Sequence, residues 1–282
     1  MRNEKKMMEL IMKFAENDDR VRIVTMEGSK LNKNAPVDKF QDFDITYIVK
    51  DMDQFKKSDD WLDYFGKRII MQKPEAMKLF RPSLGNWFSY LMVFEDGNKI
   101  DLKLVPVDET KKYFAWVDSL VKVLLDKDGV CPKLEEPSDA DYRVKKPSPE
   151  FVDDCCNEFW LLALYVAKGL HRKELLFAIK HFYLMKEQLF NMLSWKVGIK
   201  TSFSVSVGKA NKYLDKFVSK KTWQSIIKSY RNDSEKALWD SLFICCRLFT
   251  ETSAFVSGSL NYVCPDYGKK VLEHIEKSYC SL

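Results

Sequence analysis

Histidine is almost missing from this 282-residue sequence, which has only His171, His181 and His274. None stands in a C-x-x-C or H-x-x-x-H setting, so zinc chemistry is not expected. Long apolar runs are missing too. The longest, Phe159 to Ala167, is about half of what a membrane helix needs. The N-terminal M-R-N-E-K-K-M-M is charged where a signal peptide would be apolar. No membrane association and a cytoplasmic location are therefore expected. Seven cysteines is an odd number, and two adjacent pairs, Cys155-Cys156 and Cys245-Cys246, sit in apolar stretches. Buried free thiols fit that pattern better than a disulfide framework. There is no repeat and no low-complexity tract. Nor is any part strongly basic. The net charge is +5; residues 1–148 carry 27 cationic and 27 acidic side chains, and residues 149–282 carry 19 and 14. So modest a surplus argues against a polynucleotide partner.

What is present concentrates between Val24 and Val49. An apolar run (Val21, Ile23, Val24, Met26) leads into Gly28-Ser29, which reads as a strand ending in a tight turn. Small residues there leave room for an anion at the backbone, and the Ser29 hydroxyl can donate to a phosphate oxygen. A polar loop, Lys30–Gln41, follows, and then D-F-D-I-T-Y-I-V. Alternation along a strand sets Asp42 and Asp44 on one face and Phe43, Ile45, Tyr47 and Val49 on the other. Two carboxylates side by side repel each other unless a cation lies between them, and a pair of this kind suits Mg²⁺. Each piece alone has a plain reading, an ordinary turn and the solvated side of an edge strand. Downstream, Trp87–Phe94 and Lys99–Val105 flank Asp96-Gly97, a hairpin signal. In the second run Ile100, Leu102 and Leu104 alternate with Asp101 and Lys103. Asp101 thus supplies a third acidic strand position, unless it only pairs with Lys103 or a neighbouring strand.

Around these motifs the reading predicts a helix over 4–16 and strands over 20–26, 67–72 and 121–125. Helical or irregular segments are predicted over 51–65 and 73–80, and a helix over 108–120. A charged, proline-containing linker over 126–146 closes the first domain. Ser148-Pro149 is a helix-start signature. Beyond it the text is helical: 151–170, 172–196, 209–217, 220–230, 234–257 and 269–277. The expected architecture is α+β, with a catalytic domain over 1–147 and an all-helical domain over 148–282.

Gly-Ser after one strand, D-x-D on the next and a third acidic strand position resemble the nucleotidyltransferase superfamily, with its DNA polymerase β-like mixed sheet. Longer segments narrow the resemblance to the aminoglycoside 6-adenylyltransferases, the streptomycin-modifying branch. They are E-G-S-K at 27–30, F-Q-D-F-D-I at 40–45, F-G-K-R-I-I-M-Q-K-P at 65–74 and G-N-W-F-S-Y at 85–90, then F-E-D-G-N-K-I-D-L at 94–102, V-K-V-L-L-D-K-D at 121–128 and D-D-C-C-N-E-F-W at 153–160. Residues 129–142 carry none of the likeness. Lys30 is a departure, since the family more often has Arg after Gly-Ser. Lysine lacks the bidentate grip of a guanidinium on phosphate.

The resemblance implies transfer of AMP from ATP to a drug hydroxyl with release of pyrophosphate. Asp42 and Asp44 would hold Mg²⁺ on the triphosphate, while Gly28, Ser29 and Lys30 would cradle its phosphates. Asp101 would either complete a second metal site or take the proton of the attacking hydroxyl. A cationic guanidino-cyclitol needs acidic partners, for which Asp153, Asp154 and Glu158 are candidates; favourable charge at a helix N-terminus is the alternative for all three. Lys168 is a further candidate for the triphosphate, with a solvated lysine as the plainer reading, and Trp87 for the acceptor, with core packing as the default for an aromatic. The partners expected are ATP and a cationic aminoglycoside, with no nucleic acid, for a monomer or weak dimer. Two other readings remain: the same chemistry on another acceptor such as a lincosamide, and a nucleic-acid-directed nucleotidyltransferase or silent nucleotide-binding module.

Overall fold

Asn3 caps the first helix by accepting from the Lys6 amide, and the helix that follows, α1 (Glu4–Asn17), buries Met7, Ile11 and Ala15 along one stripe. The structure is a computed structural model and describes residues 1–280. Its chain divides into two units, Met1–Asp141 and the residues from Tyr142 onward. The division falls a few residues ahead of the 147/148 boundary expected from Ser148-Pro149.

In the first unit the elements after α1 run β1 (Val21–Glu27), β2 (Phe43–Val49), α2 (Met52–Lys57), β3 (Arg68–Gln72), β4 (Phe88–Phe94), β5 (Lys99–Pro106), α3 (Thr110–Trp116) and β6 (Val121–Asp126). The six strands form one sheet in the order β3-β4-β5-β2-β1-β6. All neighbours are antiparallel except β2 and β5, which run parallel. The sheet is thus mixed, as expected. The β4–β5 hairpin closes on the Asp96-Gly97 turn, where Gly97 takes a φ of 82°.

Alternation on β2 sends its residues to two faces, both of them buried beyond Asp44. Phe43, Ile45, Tyr47 and Val49 join α1 in one core cluster with Phe55, Phe65 and Phe94. The buried Tyr47 hydroxyl donates to the Ile11 carbonyl at 2.6 Å, tying the sheet to α1. On the other face, Ile23, Ile48 and Val105 pack with Trp87 and Tyr113 in a smaller cluster. That second cluster fills only the half of the face away from Asp44 and Asp101, where the apolar pattern gives way to carboxylates.

The second unit is helical: α4 (Pro149–His171), α5 (Leu175–Lys200), α6 (Lys220–Lys228), α7 (Glu235–Leu260) and α8 (Tyr267–Cys280). Serine caps start three of them, with the side chains of Ser148, Ser219 and Ser234 accepting from the amide three residues on. Phe159 of α4 stacks on Phe249 of α7 with ring centroids 3.7 Å apart. The helix expected over 209–217 is not formed. Two short 3-10 turns stand there, Lys209–Asn211 and Leu214–Lys216, because Ala210 and Asn211 take positive φ values of 55° and 61°. No helix among the described residues is long and apolar enough to cross a membrane. All seven cysteines are free.

Candidate active site

The site grows out of the end of β1. Gly28 has a φ of +78°, and a Cβ there would collide with the Asp44 carboxylate. Glycine therefore serves two purposes, accepting a left-handed backbone and making room for an acidic neighbour. Its amide donates to the Leu120 carbonyl at 3.0 Å, and the chain turns through a short 3-10 segment, Gly28–Leu31. Gln41 closes the loop by donating to the Ser29 carbonyl at 3.1 Å, so the phosphate-loop candidate and the D-x-D segment are joined directly.

Strand register then assembles the carboxylates. Asp44 pairs with Glu27 across β1–β2 and with Asp101 across β2–β5, which sets three acidic residues in a row over adjacent strands. Asp42 stands one step before β2. The Lys99 ammonium bridges the row, 2.7 Å from Asp42 Oδ2 and 2.8 Å from Asp101 Oδ2. Burial, and then the charges of Asp101, Asp42 and Glu27, push the Asp44 carboxyl up to about 6, with Lys99 acting against them.

Below the row lies a polar network that sequence reasoning missed. Glu27 accepts from Thr46 Oγ1 at 2.5 Å, from the Tyr113 hydroxyl at 2.7 Å and from Lys103 Nζ at 3.0 Å. Thr25 and Thr46 are fully buried, and the Thr25 hydroxyl bonds to that of Tyr113. Lys103 also sits 4.4 Å over the Trp116 ring. The salt bridge considered between Asp101 and Lys103 is not the one made, since Asp101 pairs with Lys99 and Lys103 with Glu27.

A family model described as streptomycin adenylyltransferase matches residues 1–278. The chain belongs to the streptomycin adenylyltransferase family. A protein of Bacillus subtilis (strain 168) named aminoglycoside 6-adenylyltransferase is 47% identical to it over 283 residues, 100% of each chain. A Campylobacter jejuni protein of the same name is 47% identical over 276 residues, 98% of this chain and 95% of its own. A crystal structure of an aminoglycoside 6-adenyltransferase from Bacillus subtilis is 43% identical, covers 99% of this chain and 100% of that one, and has a TM-score of 0.49.

As a member of the streptomycin adenylyltransferase family, the chain is a nucleotidyltransferase, and its carboxylates can be tested against a divalent ion. The donors are hard oxygens, as Mg²⁺ prefers. Burial and then the neighbouring carboxylates raise Asp44, and an ammonium already lies between two of the aspartates. The donor chemistry fits. Among the described residues, however, no three His, Cys, Asp or Glu side chains form a ready-made metal cluster; Lys99 lies between Asp42 and Asp101 instead.

The remaining sequence candidates fall in different settings. Lys30 does not extend into open space: its ammonium is 3.3 Å from Glu4 and 4.2 Å from the Phe43 ring centroid, and its side chain is only 6% exposed. Trp87 is a core residue, against the expectation that it lines the acceptor site. It is 4% exposed, its indole N–H donates to Glu109 at 2.6 Å, and its ring meets Tyr113 and Trp116 edge-on. A buried indole needs a partner for its N–H, and Glu109 supplies it. Asp153, Asp154 and Glu158 are exposed on the first turns of α4. Lys168 is exposed near the other end of that helix, about 15 Å along the axis from Glu158 at the usual rise per residue.

Proposed function

We propose that this protein transfers AMP from ATP to the 6-hydroxyl of streptomycin, releasing pyrophosphate and inactivating the drug. The observation that carries the reading is the row Glu27–Asp44–Asp101, with Asp42 beside it and the bare Gly28 turn against it. Such a row is costly without a cation and opens onto a turn small enough for a phosphate to approach. The names of the full-length relatives supply the drug class.

In this reading Asp42 and Asp44 hold Mg²⁺ together with the triphosphate. When bound, the ion neutralises phosphate charge and polarises the α-phosphorus. Asp101 lies beside Asp44 and either shares in that binding or takes the proton of the incoming hydroxyl. The Ser29 hydroxyl and the Ser29 and Lys30 amides of the turn after Gly28 hold phosphate oxygens. Lys168 is retained as a triphosphate contact and Lys30 as a cation behind the loop. Asp153, Asp154 and Glu158 receive the guanidinium groups of the acceptor, for which exposed carboxylates are suited. Free thiols and modest net charge support a cytoplasmic enzyme, a monomer or weak dimer, with no nucleic-acid partner.

Pyrophosphate release from ATP and Mg²⁺ should be measured with streptomycin, other aminoglycosides and a lincosamide. Release with streptomycin alone, and a product adenylylated at the 6-position, is the expected result. Release only with another acceptor removes the streptomycin assignment and leaves the chemistry; no release with any of them removes the reading.

A further inference from the structure

Lys99 has no role in the reaction as written so far, yet its ammonium occupies the middle of the carboxylate group. Four acidic side chains meet here, Glu27, Asp42, Asp44 and Asp101, and two ammoniums face them, Lys99 and Lys103. The two lysines differ. Lys103 is held in place, its side chain 16% exposed between Glu27 and the Trp116 ring. Lys99 is 32% exposed and begins β5 directly after the Asp96-Gly97 turn, so a four-carbon stem can carry its ammonium elsewhere.

A divalent ion and this ammonium compete for the same oxygens. Mg²⁺ binds carboxylate oxygen at about 2.0–2.1 Å, and a second cation hydrogen-bonded to those oxygens would lie close enough to repel it strongly. We propose that Lys99 is an exchangeable internal cation: it holds Asp42 and Asp101 while no metal is bound, yields those oxygens to the divalent ion, and turns onto an anionic oxygen of the triphosphate. The inference rests on the nucleotide-transfer reading above and adds a substrate contact to it.

The proposal requires opposite effects on two ligands. Removing the competitor should tighten the metal alone, while removing the phosphate contact should weaken the nucleotide. Calorimetric titration of the full chain with MnCl₂ in the absence of nucleotide should show Lys99→Met binding about tenfold tighter than wild type. The Kd for MgATP of the same variant, titrated in the same way without acceptor, should rise about tenfold, and Lys99→Arg should keep both values within about threefold of wild type. A structural role for Lys99 would weaken both ligands together, and that result, or an unchanged Mn²⁺ affinity, overturns the proposal. Wild-type protein provides a readout that does not depend on the variant folding. Labelling of Lys99 by an amine-reactive reagent, quantified by mass spectrometry, should rise with Mn²⁺ alone and fall again when ATP is added with it; constant labelling with Mn²⁺ is equally fatal. Neither readout uses the drug, so failure of the streptomycin assay would leave the cation exchange standing, and the reverse also holds.

Discussion

Glu27 and Asp44 are direct partners across the antiparallel pair β1–β2, so two carboxylates face each other on one side of the sheet. Like charges in that position destabilise a sheet. The pair is tolerated because Glu27 is paired with Lys103 and accepts from the hydroxyls of Thr46 and Tyr113, which leaves Asp44 as the carboxyl that burial and its neighbours raise.

That division of labour can be tested at Tyr113, whose ring is buried and whose hydroxyl is shared between Thr25 and Glu27. Tyr113→Phe removes one hydrogen bond to a charged group and leaves a buried threonine hydroxyl short of a partner. The expected cost is about 1.5–3 kcal/mol, read from urea denaturation. A loss below about 0.5 kcal/mol would mean that the network does not hold Glu27.

Gly28 is expected to be irreplaceable for a reason located at Asp44. Gly28→Ala places a methyl group against the Asp44 carboxylate on a backbone at φ +78°, so stability should fall by about 1 kcal/mol or more and turnover with it. The collision disappears when the carboxylate does. In an Asp44→Ala background, the same substitution should therefore cost clearly less stability, a coupling that a double-mutant cycle measures. Strict additivity would show that strain at φ alone is responsible.

Asp42→Asn and Asp44→Asn should each reduce turnover by orders of magnitude while far-ultraviolet circular dichroism stays the same. Neither side chain belongs to the apolar clusters, so neither amide should unfold the domain. Near-normal turnover in either variant at ordinary Mg²⁺ concentrations would take the metal site away from these residues.

How far the sequence revealed all this depended on the range of the interaction. Local chemistry was readable: Asp96-Gly97 gave the hairpin, Ser148-Pro149 the start of α4, and alternation over 42–49 the faces of β2. Asp44 and Asp101 were legible as neighbours-to-be because each sits in an alternating strand, with Asp42 one step before the first of those strands. The partners of those residues were not readable. Glu27 faces Asp44 only through the β1–β2 register, and Lys99 meets Asp42 across 57 positions of sequence; no local pattern encodes either. Between the two readings of Trp87, acceptor contact and core packing, the sequence could not choose, because its N–H partner Glu109 is 22 residues away. The helix expected over 209–217 failed on backbone grounds, since Ala210 and Asn211 adopt left-handed conformations that apolar spacing does not register.

A pH prediction comes from the helical unit. Lys186 is 2% exposed, donates to the Ser229 carbonyl and hydroxyl at 3.2 and 3.1 Å, and lies over the Tyr230 ring. Burial lowers its ammonium to about 8 from an ordinary 10.5. Below pH 8 the amine is charged in both the folded and unfolded states, and the fold bears the cost of burying it. Between about 8 and 10.5 the unfolded chain holds the extra proton, so this group's contribution to stability increases with pH. Above that window it levels off. Lys186→Met lacks the effect, so the stability difference between variant and wild type should shift by a few kcal/mol, an order-of-magnitude figure, between pH 7 and pH 10. A difference that stays flat across the window would show that the ammonium titrates normally.

The acidic start of α4 is the place to separate acceptor from nucleotide. Asp154 and Glu158 lie one helical turn apart on an exposed face, close enough for both to approach one guanidinium. If they receive the drug, Asp154→Asn or Glu158→Gln should raise the streptomycin KM severalfold and leave the ATP KM unchanged. Exposed charges are screened over roughly 8 Å at physiological ionic strength, so added salt should raise the wild-type drug KM toward that of the variants. The competing role is electrostatic support of the helix N-terminus. That role predicts a stability loss of about 0.3–1 kcal/mol with the drug KM untouched. Drug KM, ATP KM and melting temperature on the same two variants at two salt concentrations distinguish the cases. A lowered melting temperature with an unchanged drug KM would reduce these carboxylates to helix stabilisers, and the cation-binding wall would have to be sought on another element of the helical unit.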